Sequence, residues 1–567
     1  MTDANTATAS RVLQGIGIGR GIAIGPIIRM PDPLPEPTDA PSALDPDAEK
    51  IRAAGALAAT AADIRLRGGK AGGSARDVLE SQAFMAEDPA LRDDVNARLD
   101  AGKTAERAVF EAFAQFRDLL VSMGGYMGER ATDLDDVSQR VIAALRGVPA
   151  PGVPDPDHPF VLVARDLAPA DTAVLNLDKV LALVTSDSGP TSHTAILARD
   201  KSIVAVVGAV GALSIEDGEL VIVDASTGVV TVDPTGPQRS AAEATLAARA
   251  ATADVPVGPG ALADGTPIPL LANLGAVDKL AQAVEKGAEG VGLFRTEFLF
   301  LDSDNAPSVE QQQADYTTLF EAFPGRKVVV RALDAGADKP LHFLNDEPEE
   351  NPALGLRGLR ALRAHESILR DQLTAIANAS AASKADVWVM APMVSTVEET
   401  RYFVSIAKEL GIQTAGVMIE VPAAALLADR ILADSDFASI GTNDLTQYTL
   451  AADRLLGSVA SFQDPWHPAV LRLVGEVGRA GHALGKPVGI CGEAAADPML
   501  AVVLVGLGAT SLSMSPAALG DVRAELSRFT AKQAIEFAEL ALSANSAVEA
   551  RAAVFAAASP HPTTKRN

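Results

Sequence analysis

The chain has 567 residues, a formal net charge of −25 and an apolar fraction of 48%. This length allows about three domains, and the acidic balance argues against a nucleic-acid-binding protein, which would carry a basic stripe. One cysteine, Cys491, excludes an intrachain disulfide and suits a reducing cytoplasm. No apolar run reaches the ~18 residues of a membrane span, and the polar N-terminus lacks the layout of a signal peptide. We therefore expect a cytoplasmic protein without membrane insertion.

The first half of the chain combines strand-like and helical segments. Residues 11–30 predict a glycine-rich strand pair, and strand-like runs return after residue 158. Between them, apolar residues recur at the three- and four-residue spacing of helices. We therefore expect a β/α domain formed by residues 1–35 and 147–235, interrupted by an inserted helical domain at residues 36–146.

An Ala-rich helix is predicted at residues 236–255. It could be a simple spacer, but a connecting hinge between two moving bodies is the interpretation we prefer.

From residue 256 onward, apolar runs alternate with helical segments. Eight strand candidates follow one another: IPLLANLG, GAEGVGLFRTE, KVVVRALD, DVWVMAPMV, TAGVMIEVP, DFASIGTND, KPVGICGE and TSLSMSP. Continuous apolar strands between helices predict a parallel sheet covered on both faces. Eight repeats over roughly 300 residues predict a (β/α)8 TIM barrel at residues 256–567. The whole chain is therefore expected to be a multidomain α/β protein.

Polar side chains lie at or just beyond the ends of these barrel strands. They are Arg295, Arg331, Glu420, Asp444, Arg454 and Cys491. The carboxyl ends of barrel strands share one face, where the active sites of this fold lie. Arginine pairs with phosphate or carboxylate through two parallel hydrogen bonds, so three converging arginines predict an anionic substrate. For any one of these arginines, a surface salt bridge is the simpler interpretation.

Two carboxylates among the strand-end residues suit a divalent metal. A few hard oxygen ligands, completed by substrate oxygens and water, are typical of Mg²⁺ sites, which makes Glu420 and Asp444 candidate ligands. The alternative is a structural carboxylate paired with an arginine. Asn443, Lys339 and Arg357 are further candidates for phosphate binding, although Arg357 could simply begin a helix.

Two single residues are candidates for group-transfer chemistry. His193 follows SDSGPTS and opens a short helical segment, and helix N-termini receive phosphate well. A neutral imidazole nitrogen there can attack phosphorus, whereas a capping or buried histidine is the alternative. Cys491 ends an apolar strand, where a cysteine is usually core. A protonated thiol that faces an anionic site could instead donate a proton.

These motifs together resemble a known family. TSHTAILAR, GLFRTEFLFLD, ENPALGLR, GVMIEVPAA, SIGTNDLTQYTLAADR and GICGE are similar to Enzyme I of the bacterial sugar phosphotransferase system, the phosphoenolpyruvate–protein phosphotransferases. The resemblance covers nearly the whole chain. It implies an enzyme that transfers the phosphoryl group of phosphoenolpyruvate to its own histidine and then to the carrier protein HPr. Pyruvate is released in this first step of sugar uptake.

The resemblance also implies roles for the candidate residues. His193 would accept the phosphoryl group, and Cys491 would protonate the enolate carbon to give pyruvate. Glu420 and Asp444 would bind Mg²⁺. The inserted helical domain would dock HPr, and the barrel would form a homodimer. Phosphoenolpyruvate would be held by Arg295, Arg331, Asn443, Asp444 and Arg454.

The chain departs from the usual family pattern near the histidine and after Arg454. Ser188 and Pro190 replace residues of the usual Gly-Gly-Arg-Thr-Ser-His run, Ala168 replaces a threonine, and Leu456 replaces an asparagine. These departures concern how the tautomer of the histidine is fixed and how fast the enzyme runs. They leave every implied catalytic role filled.

Two alternative functions remain. A dikinase-type enzyme, such as pyruvate phosphate dikinase or phosphoenolpyruvate synthase, would need an additional nucleotide-binding domain, and the chain has no GxxxxGK[ST] phosphate-binding loop. A non-catalytic regulatory paralogue would show an emptied site, whereas each position here holds the required residue type.

Overall fold

The computed structural model of the chain describes the following residues: 10–18, 21–71, 73–123, 131–148, 150, 152–154, 156–167, 171, 175–176, 178–189, 192, 194–195, 198, 203–253, 258–300, 306–335, 341, 343–344, 349–454, 459 and 462–558. Two of the candidate site residues, His193 and Lys339, lie outside the described residues, as do Ala168, Pro190 and Leu456. The chain forms two compact units, residues 1–247 and 248–567.

The first unit contains an eight-stranded mixed sheet with the order β1-β8-β7-β3-β4-β5-β6-β2. Its strands are β1 Arg11–Gln14, β2 Ile16–Ile18, β3 Ile22–Arg29, β4 Phe160–Ala164, β5 Val180–Thr185, β6 Val204–Val207, β7 Leu220–Asp224 and β8 Val229–Val232. Alternate residues of β4 face opposite sides of the sheet: Val161 and Val163 pack in one apolar core, and Phe160 and Leu162 in the other. β4, β5 and β6 are parallel to one another, so their carboxyl ends share one edge.

The described residues between β3 and β4 form five helices. They are α1 Pro46–Ala71, α2 Gly73–Ala86, α3 Pro89–Asp100, α4 Ala105–Met123 and α5 Ala131–Arg146. Their buried faces share one apolar cluster that includes Ile64, Leu99, Phe113 and Val141. The sequence interpretation did not identify α2, which follows the glycine-rich stretch GGKAGG. Only Gly73, the first residue of α2, belongs to that stretch and to the helix, whereas Gly68 and Gly69 lie in the last turn of α1. Leu79, Ala83 and Ala86 bury one face of α2 in the shared cluster.

Helix α6, Gly236–Ala253, follows the sheet. The boundary between the two compact units falls within it.

The second unit is a closed barrel of eight parallel strands. The strands are β9 Leu270–Leu274, β10 Val291–Phe294, β11 Lys327–Arg331, β12 Asp386–Ala391, β13 Thr414–Ile419, β14 Ala438–Ile440, β15 Val488–Ile490 and β16 Ser511–Met514. Its helices are α7 Leu280–Glu285, α8 Val309–Glu321, α9 Leu359–Ala364, α10 Glu366–Ala381, α11 Val397–Glu409, α12 Pro422–Leu426, α13 Ala428–Ala433, α14 Thr442–Leu450, α15 Pro468–Leu484, α16 Pro498–Gly506, α17 Leu519–Leu526, α18 Ala531–Ser543 and α19 Ala547–Ala558.

Strand periodicity determines which barrel residues face inward. Val329, Met390 and Met418 fill the interior together with Cys491, whereas Val328 and Val330 pack outward in the large core that the helices cover. The next inward-facing position of β11 after Val329 is Arg331, at the carboxyl end of the strand.

The fold class predicted from the sequence is confirmed. The chain is a multidomain α/β protein with an inserted helical bundle and a C-terminal (β/α)8 barrel, and each of the eight predicted barrel strands is present. Among the described helices, none is long and apolar enough to cross a membrane.

Candidate active site at the carboxyl end of the barrel

A continuous chain of buried ion pairs begins beside β11. Arg331, the last residue of that strand, places Nη2 2.6 Å from Oε1 of Glu297 and Nη1 3.1 Å from Oδ2 of Asp334. The same Asp334 oxygen lies 2.8 Å from Nη2 of Arg357. Glu297 follows β10 and Asp334 follows β11, so closure of the barrel brings neighbouring strand ends together.

The series of ion pairs continues from Arg357 to the residues that follow β14. Arg357 Nη1 lies 3.0 Å from Oδ1 of Asp444 and donates a 3.2 Å hydrogen bond to the Tyr448 hydroxyl. Asp444 Oδ2 is 3.5 Å from Nη1 of Arg454. Asp444 and Tyr448 belong to α14, one turn apart on the same helix face. From the sequence, Arg357 could simply have begun a helix. In the structure it is 3% exposed and lies at the centre of these ion pairs.

Pairing makes the burial of these charges tolerable. Burial alone would raise the pKa of Asp334, but the Arg331 and Arg357 guanidinium groups hold that pKa below its usual range. Two buried polar atoms, Arg331 Nε and Glu297 Oε2, have no hydrogen-bond partner within the described part of the chain. Such groups are costly when unanswered, and a ligand at the site can answer the Nε donor.

Arg295 differs from the other arginines of this face. It directly follows β10, is half-buried, and fixes its backbone through a 2.8 Å bond from its N–H to the Leu274 carbonyl oxygen. Among the residues that the structure describes, its guanidinium makes no ion pair. The positive charges of Arg331 and Arg295 both act on the Cys491 thiol. Arg295 is therefore a cation available to a bound anion.

Glu420 directly follows β13 and is 1% exposed. Its Oε1 accepts a 2.7 Å hydrogen bond from the Met393 N–H. Its Oε2 occupies the space where a side chain at Gly441 would begin, since a Cβ there would lie 2.6 Å away. Glycine at position 441 thus allows the Glu420 carboxylate to reach the start of α14, where Asp444 lies.

The residues present fit a divalent cation. Burial, together with the negative charges of Asp444 and Asp334, raises the pKa of Glu420, and a cation would relieve this repulsion. Within the described ranges, no group of three or more His, Cys, Asp or Glu side chains could hold a metal by itself. Two carboxylates completed by water and substrate oxygens are the arrangement that Mg²⁺ favours.

Cys491 lies one residue beyond β15 and is 2% exposed. Its Sγ donates to the Ile440 carbonyl oxygen at 3.5 Å. The Asn273 side-chain amide donates to the backbone carbonyl oxygen of Cys491 at 2.8 Å. Burial raises the pKa of the thiol to about 11. The thiol is therefore protonated at neutral pH, as a proton donor must be.

Asn443 has a structural contact that the sequence did not reveal. Its Oδ1 accepts a 3.0 Å hydrogen bond from the Glu493 N–H. The adjacent Gly492 allows close packing, because a Cβ there would lie 1.8 Å from the Thr442 hydroxyl oxygen. This contact holds the loop of Cys491 against α14, which carries Asp444.

Sequence reasoning missed Glu297 and Asp334. Both lie at the same strand ends as predicted candidates, in GLFRTE and KVVVRALD, two and three residues after Arg295 and Arg331. The signal was therefore present, but the pairing of Arg331 with both carboxylates depends on contacts between neighbouring strands. The alternative given for the metal candidates, a structural carboxylate paired with an arginine, describes the contacts of Asp444 with Arg357 and Arg454.

Comparison with known proteins covers nearly the whole chain. Three family profiles match in order: the PEP-utilising enzyme N-terminal domain at residues 14–130, the PEP-utilising enzyme mobile domain at 156–228, and the PEP-utilising enzyme PEP-binding domain at 249–531. The last of these includes every candidate residue of the barrel.

Three similar proteins carry the same name. A phosphoenolpyruvate-protein phosphotransferase of Streptomyces coelicolor is 52% identical over 95% of this chain and 98% of its own length. Proteins of the same name from Haloferax volcanii and Bacillus subtilis are 41% and 36% identical, over 83% and 95% of this chain and 85% and 98% of their own. In agreement with its motifs and its barrel, this chain belongs to the family of phosphoenolpyruvate-protein phosphotransferases.

Proposed function

We propose that this chain transfers the phosphoryl group of phosphoenolpyruvate to His193 and from there to HPr, and so begins sugar uptake by a phosphotransferase system. The observation that carries the proposal is the barrel face itself. It combines a network of buried ion pairs, an arginine that makes no ion pair with any described residue, and a protonated thiol at the carboxyl ends of parallel strands. Such a face suits a small, doubly anionic substrate.

Phosphoenolpyruvate binding is assigned mainly to the arginines. Arg295 makes no ion pair among the described residues, and Arg331 has a buried Nε donor without a partner in the described structure. The family resemblance implies three further phosphoenolpyruvate-binding residues: Arg454, Asn443 and Asp444. Arg357 holds Asp444 in place. Lys339 stays a prediction. Guanidinium groups match phosphate and carboxylate in geometry, so they would position both ends of the substrate.

The metal assigned to this site is Mg²⁺, with Glu420 and Asp444 as its protein ligands. When bound, it would neutralise charge on the substrate oxygens as phosphoryl transfer proceeds. The support is the acidic pair itself, whose members repel one another without a cation.

Two residues would carry the bond changes. A ring nitrogen of His193 attacks phosphorus, a nitrogen–phosphorus bond forms, and the bond from phosphorus to the enol oxygen breaks. The electron pair left on the enolate takes a proton at carbon from the Cys491 thiol, which yields pyruvate. The thiol then regains its proton from water.

The inserted helices α1–α5 are assigned as the HPr-docking domain. Phe84 on α2 is 61% exposed, and the Arg65 guanidinium lies 5.5 Å from its ring centroid while it pairs with Glu80 and Glu87. Leu66 beside Arg65 is equally exposed. An exposed aromatic ring with carboxylates close by suits a partner that presents a basic rim around an apolar centre.

The remaining predictions concern the hinge between domains, the homodimer contact and the cellular location. We assign residues 236–255 as the hinge between the phosphohistidine domain (residues 1–35 and 147–235) and the barrel domain (residues 256–567). Exposed apolar side chains of the barrel unit, such as Leu426 at 67% and Phe462 at 56%, are candidates for the homodimer contact. A cytoplasmic location stays a prediction from the sequence.

Incubation with labelled phosphoenolpyruvate and Mg²⁺, without ATP, tests the proposal. The protein should take up acid-labile, base-stable label, release pyruvate and pass the label to HPr when HPr is added. His193→Ala should take up none and keep its fold. A need for ATP, or label on the His193→Ala variant, would contradict the proposal.

A further inference from the structure

The described residues that precede His193 lie beside a neighbouring loop of the sheet. β4 and β5 are parallel neighbours, and their pairing continues past the strand ends. The Ser186 N–H donates to the Ala164 carbonyl oxygen at 3.1 Å, and the Asp187 N–H donates to the Arg165 carbonyl oxygen at 2.9 Å. The residue that comes next along the first loop is Asp166, and Ser188 comes next along the second.

One oxygen of Asp166 accepts three hydrogen bonds. Oδ1 takes the Ser188 hydroxyl at 2.5 Å, the Thr194 hydroxyl at 2.9 Å and the Leu167 N–H at 2.8 Å. The Leu167 N–H also approaches the Thr194 hydroxyl oxygen at 3.2 Å. Both hydroxyl-bearing residues are buried, at 4% and 0% exposure. Asp166 itself is exposed.

The two hydroxyl donors bracket the histidine in the chain. Ser188 precedes His193 by five residues, and Thr194 follows it directly. Consecutive Cα atoms are about 3.8 Å apart, so a bond that fixes Thr194 limits where the neighbouring residue can lie. The Ser192 hydroxyl, on the other side of the histidine, accepts a 3.2 Å bond from the Ala195 N–H.

We propose that Asp166 is a positioning residue for phosphoryl transfer, which ties both ends of the His193 segment to the end of β4. The proposal rests on the assigned role of His193. A carboxylate suits this task because it is an acceptor only and takes several donors at once. Its bonds are charge-assisted, hence stronger than those of a neutral acceptor. Ser188 is one of the positions where this chain departs from the usual family pattern, so the bond from its hydroxyl is a feature that the chain itself supplies.

Loss of this anchor should affect the transfer step and not substrate binding. In-line attack needs the nucleophile within a fraction of an ångström of its place, and a displacement of about 1 Å can cost about 100-fold in rate. Phosphoenolpyruvate is assigned to the barrel, in a different compact unit. Because Asp166 is exposed, its removal opens no cavity.

The test compares three variants by rapid-quench labelling with phosphoenolpyruvate and Mg²⁺. Asp166→Ala should lower the phosphorylation rate constant about 100-fold with KM for phosphoenolpyruvate unchanged. Asp166→Asn keeps an acceptor oxygen at the same place and should recover part of the rate. Asp187→Asn is the matched control, because Asp187 is also an exposed aspartate of this loop. Among the described residues of the loop, the one side-chain hydroxyl that donates to Asp187 is that of Ser186, at 2.6 Å. It should label at the wild-type rate.

Amide hydrogen exchange gives a readout that does not depend on activity. Residues 186–198 should exchange faster in Asp166→Ala than in the wild type, and Asp187→Asn should leave their exchange unchanged. A wild-type rate for Asp166→Ala, or a raised KM with an unchanged rate constant, would overturn the positioning role. Wild-type protein that takes no label would instead overturn the proposed function, and the anchor itself would then be refuted by unchanged exchange in Asp166→Ala.

Discussion

Replacing the single cysteine tests the proton-transfer half of the mechanism. Burial raises the pKa of Cys491 from 9.0 to about 11. At pH 7 a thiol with a pKa of 9 is about 1% thiolate, and one with a pKa of 11 only about 0.01%. Nearly every molecule therefore holds the proton that the enolate needs. Cys491→Ala removes this donor, and loss of a general acid typically costs about 10²–10⁴ in rate.

The assay follows pyruvate release and protein phosphorylation in the same samples. We expect kcat for Cys491→Ala to fall at least about 100-fold, with KM for phosphoenolpyruvate nearly unchanged. Val329→Ala is the matched control, since it shortens another side chain of the same interior cluster without removing a proton donor. Equal pyruvate release by Cys491→Ala and wild type would refute the acid role, as would an equal loss in Val329→Ala.

The same thiol predicts a difference in stability at high pH. The pKa of this thiol is higher in the folded protein than its ordinary value of 9.0, so its contribution to stability is fully present below about pH 9 and is lost as the pH rises toward about 11. The two pH units correspond to about 2.7 kcal/mol of unfolding free energy. Urea unfolding of wild type and Cys491→Ala between pH 8 and about 10.5 measures this as a fall in the stability of the wild type relative to the variant as the pH rises. Parallel curves for the two proteins would contradict the raised pKa.

Three other substitutions probe the remaining parts of the account. Arg357→Met leaves Asp334 and Asp444 each short of one buried partner, so unfolding free energy in urea should fall by about 3 kcal/mol; a change below about 1 kcal/mol would contradict the ion-pair chain. Glu420→Gln should raise the Mg²⁺ concentration for half-maximal activity roughly tenfold. It should not destabilise the metal-free protein, because it removes a carboxylate that the neighbouring carboxylates repel. An unchanged Mg²⁺ requirement would exclude Glu420 as a ligand. Phe84→Asp should weaken HPr binding by calorimetry about 30-fold and leave self-phosphorylation intact.

Phe84→Asp has its own control on the same helical domain. Ile51 on α1 is 75% exposed, and it lies 14 residues before Arg65, which is about 21 Å along the helix. Ile51→Asp should bind HPr as the wild type does. If both variants lose binding equally, the docking surface is not centred on Phe84.

Much of the fold was predictable because strand and helix periodicities are local properties. Several barrel strands are apolar runs that end at, or directly before, a polar residue or the lone cysteine, and this pattern indicates Arg331, Glu420 and Cys491 from the sequence alone. The partners of those residues were not predictable in the same way. Arg331 meets Glu297 across neighbouring strands, and such a contact depends on register and closure, which no short stretch of sequence encodes.

Helix α2 and Arg357 show two further limits of prediction from the sequence. Helix α2 was not predicted because it begins at the last residue of a glycine-rich stretch, and such stretches are typical of loops. Arg357 stands next to a helix start in the sequence, yet it is buried between Asp334 and Asp444, which precede and follow it by 23 and 87 residues. Its importance appears only when distant loops meet at the barrel face.

Locating the transferred phosphate tests the central claim most directly. After reaction with phosphoenolpyruvate and Mg²⁺, digestion with trypsin at alkaline pH should release the peptide 180–199, which contains His193 as its one histidine. Mass spectrometry should find this peptide with one added phosphoryl group, and the addition should disappear when HPr is supplied. Phosphate on any other peptide, or none on this one while pyruvate is formed, would contradict the account.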